Sequence, residues 1–155
     1  MDDILNQLLQ EEQELQFTKF NEDVAWKLGS QLVERARSKN LPVTIDITRG
    51  THQLFHASLR GTSPDNDEWI KRKVRLVYRF GHSSFYMGQL LKSKSKTIEQ
   101  AYLVSESEYG PHGGCFPILV KETGIVGTVT VSGLPQEEDH KLVVDTLRDF
   151  LSQEK

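Results

Sequence analysis

The segment of residues 108–120, EYGPHGGCFPILV, combines several residue types that could form a ligand site. Gly113 and Gly114 can adopt positive φ angles and allow a ligand to approach bare backbone, and the imidazole of His112 can donate or accept a hydrogen bond. Glycines of this kind more often form a turn into a strand, so the segment is either such a turn or one wall of a site. Cys115 has no base near it in the sequence, which predicts a buried core residue rather than a nucleophile.

A cationic stripe lies on the helix predicted over residues 65–80. At about 100° per residue, Arg72, Arg75 and Arg79 share one face, and Lys71 and Lys73 add to its charge. Planar guanidinium groups bind carboxylate and phosphate well. The stripe predicts either an anion site or a solvated or inter-subunit salt-bridge face.

Two more segments place polar residues side by side. FGHSS contains His82, Ser83 and Ser84, and EEDHK contains Asp139 and His140. Adjacent side chains on a helix diverge by about 100°, so neither segment forms a catalytic dyad by adjacency. Helix capping accounts for the serines and the acidic first turn.

No sequence motif indicates catalysis or a structural metal. The chain lacks a Walker-type phosphate loop, a dinucleotide fingerprint, paired cysteines and histidines at zinc-site spacing. We therefore predict no catalytic residue and no metal site.

Composition places limits on the class of protein. A chain of 155 residues is long enough for one domain, and a net charge of −3 provides no general attraction to nucleic acid. The N-terminal sequence is acidic where a secretory signal would be basic, and a single cysteine cannot form an internal disulfide. Because no apolar run approaches the roughly twenty residues of a membrane span, we expect a cytoplasmic protein without membrane or nucleic-acid partners.

Periodicity predicts an α+β fold, in which antiparallel hairpins are flanked by helices. The first half of the chain is predicted to form an amphipathic helix within residues 1–18, a helix over 21–39, a hairpin over 42–59 and a helix over 65–80. The second half is predicted to form a continuation of that helix or a second helix capped near Ser83, an ambiguous segment over 97–114, a hairpin over 115–133 and a final helix that starts at Pro135. No linker divides the chain, so we predict one domain over residues 1–155.

Four motifs in this order resemble a known family. SPDNDEWIKRK, RFGHSSFYMG, YGPHGGCFPI and VGTVTVSGLPQEEDHKLVV are similar to an uncharacterised bacterial and fungal subfamily of the haem-degrading-domain superfamily. Its better-known relatives are HbpS-like, GlcG-like and PduO C-terminal-like proteins. The resemblance covers residues 20–152 and implies a profilin-like antiparallel sheet flanked by helices. It also implies homo-oligomers, from dimers to larger rings.

The resemblance carries over two groups of residues. His112, Gly113 and Gly114 match the glycine-glycine motif of the superfamily, and Ser132, Gly133 and Asp139 match its second motif. Some members of the superfamily bind haem, so the resemblance implies haem as a possible cofactor. It does not match any residue of this chain to a haem-ligating residue of those members.

Three functional hypotheses remain open. The first is a non-enzymatic, homo-oligomeric module that binds a small anionic or planar ligand through the arginine stripe, residues 82–84, residues 112–114, Ser132, Gly133, Asp139 and His140. The second is a haem-binding or haem-degrading enzyme with His112 or His140 as iron ligand. The third is an oligomeric scaffold for protein partners.

Overall fold

The computed structural model describes residues 2–154 and contains one five-stranded sheet with helices on both faces. The elements are α1 (Asp2–Glu14), β1 (Gln16–Phe17), α2 (Glu22–Ser38), β2 (Thr44–Arg49), β3 (His52–Ser58), α3 (Pro64–Phe80), α4 (Ser84–Ser93), α5 (Ile98–Tyr102), β4 (Cys115–Val120), β5 (Gly124–Ser132) and α6 (Gln136–Gln153). The strand order is β1-β4-β5-β2-β3. The predicted α+β class and both hairpins are confirmed.

The sheet is antiparallel except at one edge. β2 pairs with β3 and β5, and β4 pairs with β5, all antiparallel. β1 adds a short parallel pairing to β4, with Gln16 opposite Leu119 and Phe17 opposite Val120. The sequence did not indicate β1 because two residues are too few to display an alternating pattern.

One face of the sheet forms the main hydrophobic core with α2 and α6. Ile45 of β2 and Val129 of β5 are fully buried there, against Leu28 and Leu32 of α2 and Leu147 of α6. Burial of an aliphatic side chain of this size contributes about 2 kcal/mol to folding. This core fixes the sheet on which the candidate site is built.

The opposite face of the sheet is polar, although it is buried beneath α3. Asp46 of β2, Thr130 of β5 and Cys115 of β4 lie side by side in register, and all three are buried. Alternation predicts that the polar side of such a strand is half-exposed. The prediction of a half-buried strand fails here because helices cover both faces of the sheet.

α3 and α4 are separate helices. Gly81 ends α3 with φ +78°, and its N–H donates to the carbonyl of Val77 at 2.9 Å. Ser83 caps α4, since its hydroxyl accepts a hydrogen bond from the Tyr86 N–H at 3.1 Å. The predicted alternative in which one helix continues past Gly81 is therefore wrong.

The segment that was ambiguous in sequence, residues 97–114, is mostly irregular. It contains only the short helix α5 before β4 begins. α1 packs against α4 of its own domain. Within residues 2–154, no helix combines the length and the apolar character that crossing a membrane requires.

Candidate functional site

A cavity of about 350 Å³ lies between the first turns of α3, the loop before β4 and the turn from β5 to α6. Most of its lining side chains are polar. The turn before α6 brings Gly133 to its edge as well. The side chains that matter most for its chemistry are Asn66, Trp69, Lys73, His112, Ser132 and Asp139.

The floor of the cavity is a buried ion pair that joins α3 to α6. Lys73 is only 3% exposed, and its Nζ donates to Asp139 Oδ2 and to the Val131 carbonyl, both at 3.3 Å. Asp139 also accepts hydrogen bonds from the backbone N–H of Leu134 at 3.0 Å and of Gly133 at 3.4 Å. The pair therefore ties α3 to the turn that carries the second sequence motif.

Burial moves the pKa of each partner toward neutrality. Desolvation lowers the pKa of Lys73, and the nearby Asp139 carboxylate partly opposes that shift. Desolvation likewise raises the pKa of Asp139 to about 6, against the opposing effects of Lys73 and the Leu134 N–H. Charge is costly at this position, so a ligand group that hydrogen-bonds to either partner would gain a strong interaction.

The two adjacent glycines allow backbone to pack directly on this pair. Gly114 has φ +136°, and a Cβ there would lie 2.3 Å from the Val131 carbonyl oxygen and 2.7 Å from Lys73 Nζ. A Cβ on Gly113 would lie 2.3 Å from the Gln136 carbonyl oxygen. The Gly113 N–H donates to Gln136 Oε1 at 2.9 Å. Only glycine satisfies both positions, which gives the sequence motif a structural reason.

One wall of the cavity is aromatic. The rings of Trp69 and His112 meet edge to face, with centroids 5.3 Å apart. The guanidinium carbon of Arg72 lies 4.9 Å from the centroid of the Trp69 ring. His112 Nε2 lies 3.2 Å from Glu106 Oε1. These contacts hold the indole ring at the cavity wall.

The arginines of α3 hold a loop. Arg72 Nε donates to the Ser107 carbonyl at 3.1 Å, and Arg75 Nη1 donates to the Glu108 carbonyl at 2.8 Å. The Arg79 guanidinium lies 5.5 Å from the ring of Tyr109. The stripe predicted from sequence exists, and in this chain it is occupied by its own segment of residues 105–109.

The other predicted polar residues anchor helices or the sheet. His82 Nδ1 lies 2.9 Å from Glu12 Oε1, and His140 Nε2 lies 2.9 Å from Glu11 Oε1, so both histidines contact α1. The Ser84 hydroxyl accepts from the Cys115 N–H at 3.0 Å. Of the sequence-predicted residues, the cavity brings together His112, Ser132, Gly133 and Asp139, and it does not include residues 82–84 or His140.

Cys115 is fully buried beside the cavity floor. Desolvation raises the pKa of its thiol to about 12. A thiol in this state has almost no thiolate at neutral pH and cannot serve as a nucleophile there.

Sequence reasoning missed the role of Lys73, which it assigned to the cationic stripe. A signal was available, because Lys73 lies three residues after Ile70 and four before Val77, both of which are buried on the inner face of α3. A lysine at that spacing is a charged residue on a buried face, and such residues are almost always paired. Asn66 and Gln136 also line the cavity, but no comparable pattern in the sequence indicates that they do.

The fold and these motifs define a class of small α+β protein, and comparison with known proteins identifies its family. The chain belongs to the family described as haem degrading protein HbpS-like, whose model matches residues 20–148.

Its relatives include the UPF0303 proteins. One from Streptomyces coelicolor is 49% identical over 147 residues, which span 95% of this chain and 93% of that protein. One from Rhizobium etli is 46% identical over 154 residues, which span 99% of this chain and 93% of that protein.

Solved structures share the fold. The crystal structure of Ybr137w protein superposes with a TM-score of 0.90 at 36% identity, covering 97% of this chain and 88% of that one. HbpS matches with a TM-score of 0.66 at 18% identity, covering 88% of this chain and 92% of that one. A PduOC:Heme complex matches with a TM-score of 0.69 at 15% identity, covering 83% and 93%. At such low identity, the last two show the fold alone.

Proposed function

We propose that this protein is a non-enzymatic, self-associating module that binds a small polar ligand in the cavity above Lys73 and Asp139. The observation that carries the proposal is a buried ion pair at the floor of a cavity of about 350 Å³, which lies within the size range of small-ligand sites. A purely structural ion pair would not need an aromatic wall and several polar side chains around it.

The cavity offers donors for an anionic group of a ligand, beside the carboxylates of Asp65 and Asp139. Lys73 has three N–H bonds, and its contacts to Asp139 and the Val131 carbonyl account for two of them. His112 and the Ser132 hydroxyl offer further hydrogen bonds from the walls. The ring of Trp69 suits a planar portion of the ligand.

Neither the cysteine nor the serine at this cavity is activated as a nucleophile, which supports binding rather than catalysis. The thiol of Cys115 is buried and protonated at neutral pH. Ser132 lies at the cavity, but its hydroxyl accepts a hydrogen bond from the Asn66 side-chain amide at 3.5 Å and does not contact a base. Activation of a serine requires a neighbouring base.

Self-association is supported by one exposed apolar residue. Leu103 ends α5 with a left-handed φ of +61° and is 88% exposed. A single exposed leucine is common on protein surfaces, but one held in a left-handed backbone conformation is a candidate contact residue with which to test self-association. We expect Leu103→Asp to reduce the subunit number.

The haem alternative has less support from these residues. The Nε2 of His112 and the Nε2 of His140 are both paired with glutamates. The His140 ring is also buried against Phe85, with centroids 4.9 Å apart. A haem macrocycle needs a wide apolar slot, and most side chains that line this cavity are polar. The residues present do not fit haem at this site.

Native mass spectrometry of gently purified protein tests the proposal. We expect subunits that carry an extra small mass, which Lys73→Met removes and the exposed matched control Lys71→Met retains. A haem-sized increment with a Soret band that weakens in His112→Ala or His140→Ala would favour the haem alternative instead. Oligomers without any added mass, even after incubation with small carboxylates, would favour the scaffold and reject the binding module.

A further inference from the structure

A groove on the other side of the molecule, between α2 and β3, has no part in the cavity above Lys73. It consists of two adjoining hollows of about 730 and 640 Å³, which share Val33 and Arg37. Trp26 and Phe55 line the first hollow, and Arg60 lines the second. The groove is therefore aromatic at one end and cationic at the other.

The aromatic end is unusually exposed. Trp26 is 66% exposed, although its ring packs edge to face on Phe55 with centroids 5.6 Å apart. Phe55 in turn lies over Gly29 of α2, where an added Cβ would come within 2.6 Å of three ring atoms. The Phe55 ring is thus held in place by α2, and it presents a fixed apolar surface beside a solvated indole.

The cationic end has no internal counter-ion. Among the side chains of residues 3–154, no carboxylate lies within ion-pairing distance of Arg37 or Arg60, and neither guanidinium donates a hydrogen bond to another group there. Arg72 and Arg75 of α3 differ, because they donate to the backbone carbonyls of Ser107 and Glu108. The donors of Arg37 and Arg60 are available for a ligand.

Two other charged groups line the groove, and only one of them has ion-pair partners among residues 3–154. His56 lies between two carboxylates, with Asp46 Oδ1 3.0 Å from Nδ1 and Asp67 Oδ1 3.3 Å from Nε2. Glu34 has no such partner; it lines the aromatic hollow together with Arg37, but it does not line the hollow of Arg60. Positive charge therefore dominates one end of the groove only.

We propose that this groove binds a small amphipathic carboxylate, with its apolar body on Trp26 and Phe55 and its carboxylate on Arg37 and Arg60. Two arginines can hold a carboxylate through charge-assisted hydrogen bonds. Val33, which both hollows share, and Leu41 and Leu59, which line the hollow of Arg60, supply apolar surface that an aliphatic or aromatic chain would cover. This is a second site, independent of the ligand proposed above.

The chain offers a local reporter for the test. It contains two tryptophans, Trp26 and Trp69, so Trp69→Phe leaves Trp26 as the only indole. In that variant, 4-phenylbutyrate is titrated and Trp26 emission is followed, with 4-phenylbutan-1-ol as the neutral analogue of equal size. We expect saturable binding of the acid and affinity for the alcohol that is weaker by about tenfold or more.

Matched variants locate the carboxylate. Replacing both Arg37 and Arg60 by glutamine is expected to weaken binding of 4-phenylbutyrate by about tenfold or more, since two charge-assisted contacts are lost. Lys39→Gln removes an exposed cation that lines a neighbouring hollow and not the groove, and it is expected to leave affinity unchanged. Lys71→Met, which removes an exposed cation of α3 outside this groove, should likewise leave affinity unchanged.

Three results would overturn the proposal. One is equal affinity for acid and alcohol, and another is no saturable response of Trp26 to the acid. The third is a change in Trp26 emission with protein concentration alone, accompanied by a change in sedimentation, since β3 is the edge strand and a second copy would then cover the groove.

Discussion

The two sides of α3 carry cations with different roles. On the inner side, Lys73 is buried and forms the floor of a cavity with Asp139. On the outer side, Arg72 and Arg75 donate to backbone carbonyls of a neighbouring loop. Charge density in the sequence is highest on the outer side, yet the candidate cavity opens near the inner one. Whether a cation of α3 lies at the cavity therefore depends on its helical face and not on how many cations share that face.

The largest expected effect comes from removing the inner cation. Lys73→Met fits an apolar chain of similar length into the same space but leaves the Asp139 carboxylate buried without its counter-ion. Breaking a buried pair from one side costs about 3 kcal/mol or more. Chemical denaturation should show this loss in the free energy of unfolding.

A double variant distinguishes the pair from simple packing. Adding Asp139→Asn to Lys73→Met removes the unpaired charge, so the double variant should be less destabilised than the sum of the two single variants. If the losses in the free energy of unfolding are strictly additive, Lys73 and Asp139 stabilise the fold independently. The interaction between them would then not stabilise the cavity floor.

The second effect concerns the backbone that packs on Lys73. Gly114→Ala adds a methyl group that must lie 2.3 Å from the Val131 carbonyl oxygen, at a φ of +136°. Overpacking and backbone strain together should cost about 3 kcal/mol. Thermal unfolding is the measurement.

Gly124→Ala is the matched control for that variant. Gly124 also has a positive φ, +100°, but an added Cβ would meet nothing within 4 Å. Strain alone should cost about 1 kcal/mol there. Equal losses at both positions would mean that φ, rather than close approach to Lys73, explains why glycine occupies position 114.

Sequence patterns predict that α3 forms and where it ends, but they do not predict which groups its side chains contact. The 3.6-residue period predicts the helix, and Gly81 and Ser83 mark its end and the start of α4. Which loop lies over Arg75 depends on the path of residues 103–114, a segment with no periodicity. The motif residues His112 and Asp139 reach one cavity through tertiary packing, which no local pattern encodes.

A third and smaller effect concerns how α1 is held. The Glu12 carboxylate accepts from the Ser83 N–H at 3.1 Å and raises the pKa of His82 through a direct hydrogen bond. His82 is partly exposed, so the pair should contribute about 1 kcal/mol at most. Because the folded-state pKa is raised, this contribution is present below the ordinary histidine pKa and is lost as pH rises through the raised value.

Hydrogen exchange of α1 amides measures that contribution. The free energy of local opening, corrected for intrinsic exchange rates, should fall by up to about 1 kcal/mol as pH rises through the raised pKa of His82. His82→Gln should remove most of this dependence, while Glu11 and His140 continue to hold the helix. An unchanged pH dependence in that variant would assign it to another group.

The smallest effect is expected on the outer side of α3. Arg75→Ala removes an exposed hydrogen bond to the Glu108 carbonyl and a contact with the Tyr109 ring, whose centroid lies 6.0 Å from the guanidinium carbon. Exposed interactions of this kind contribute about 0.5 kcal/mol, so the melting temperature should hardly change while amides of residues 105–109 exchange faster. Ligand occupancy in native mass spectra should equal that of the unmodified protein, because Arg75 holds the loop and does not line the cavity. Loss of bound mass in Arg75→Ala, to the extent seen in Lys73→Met, would return the arginines to the ligand site and remove the distinction between the two sides of the helix.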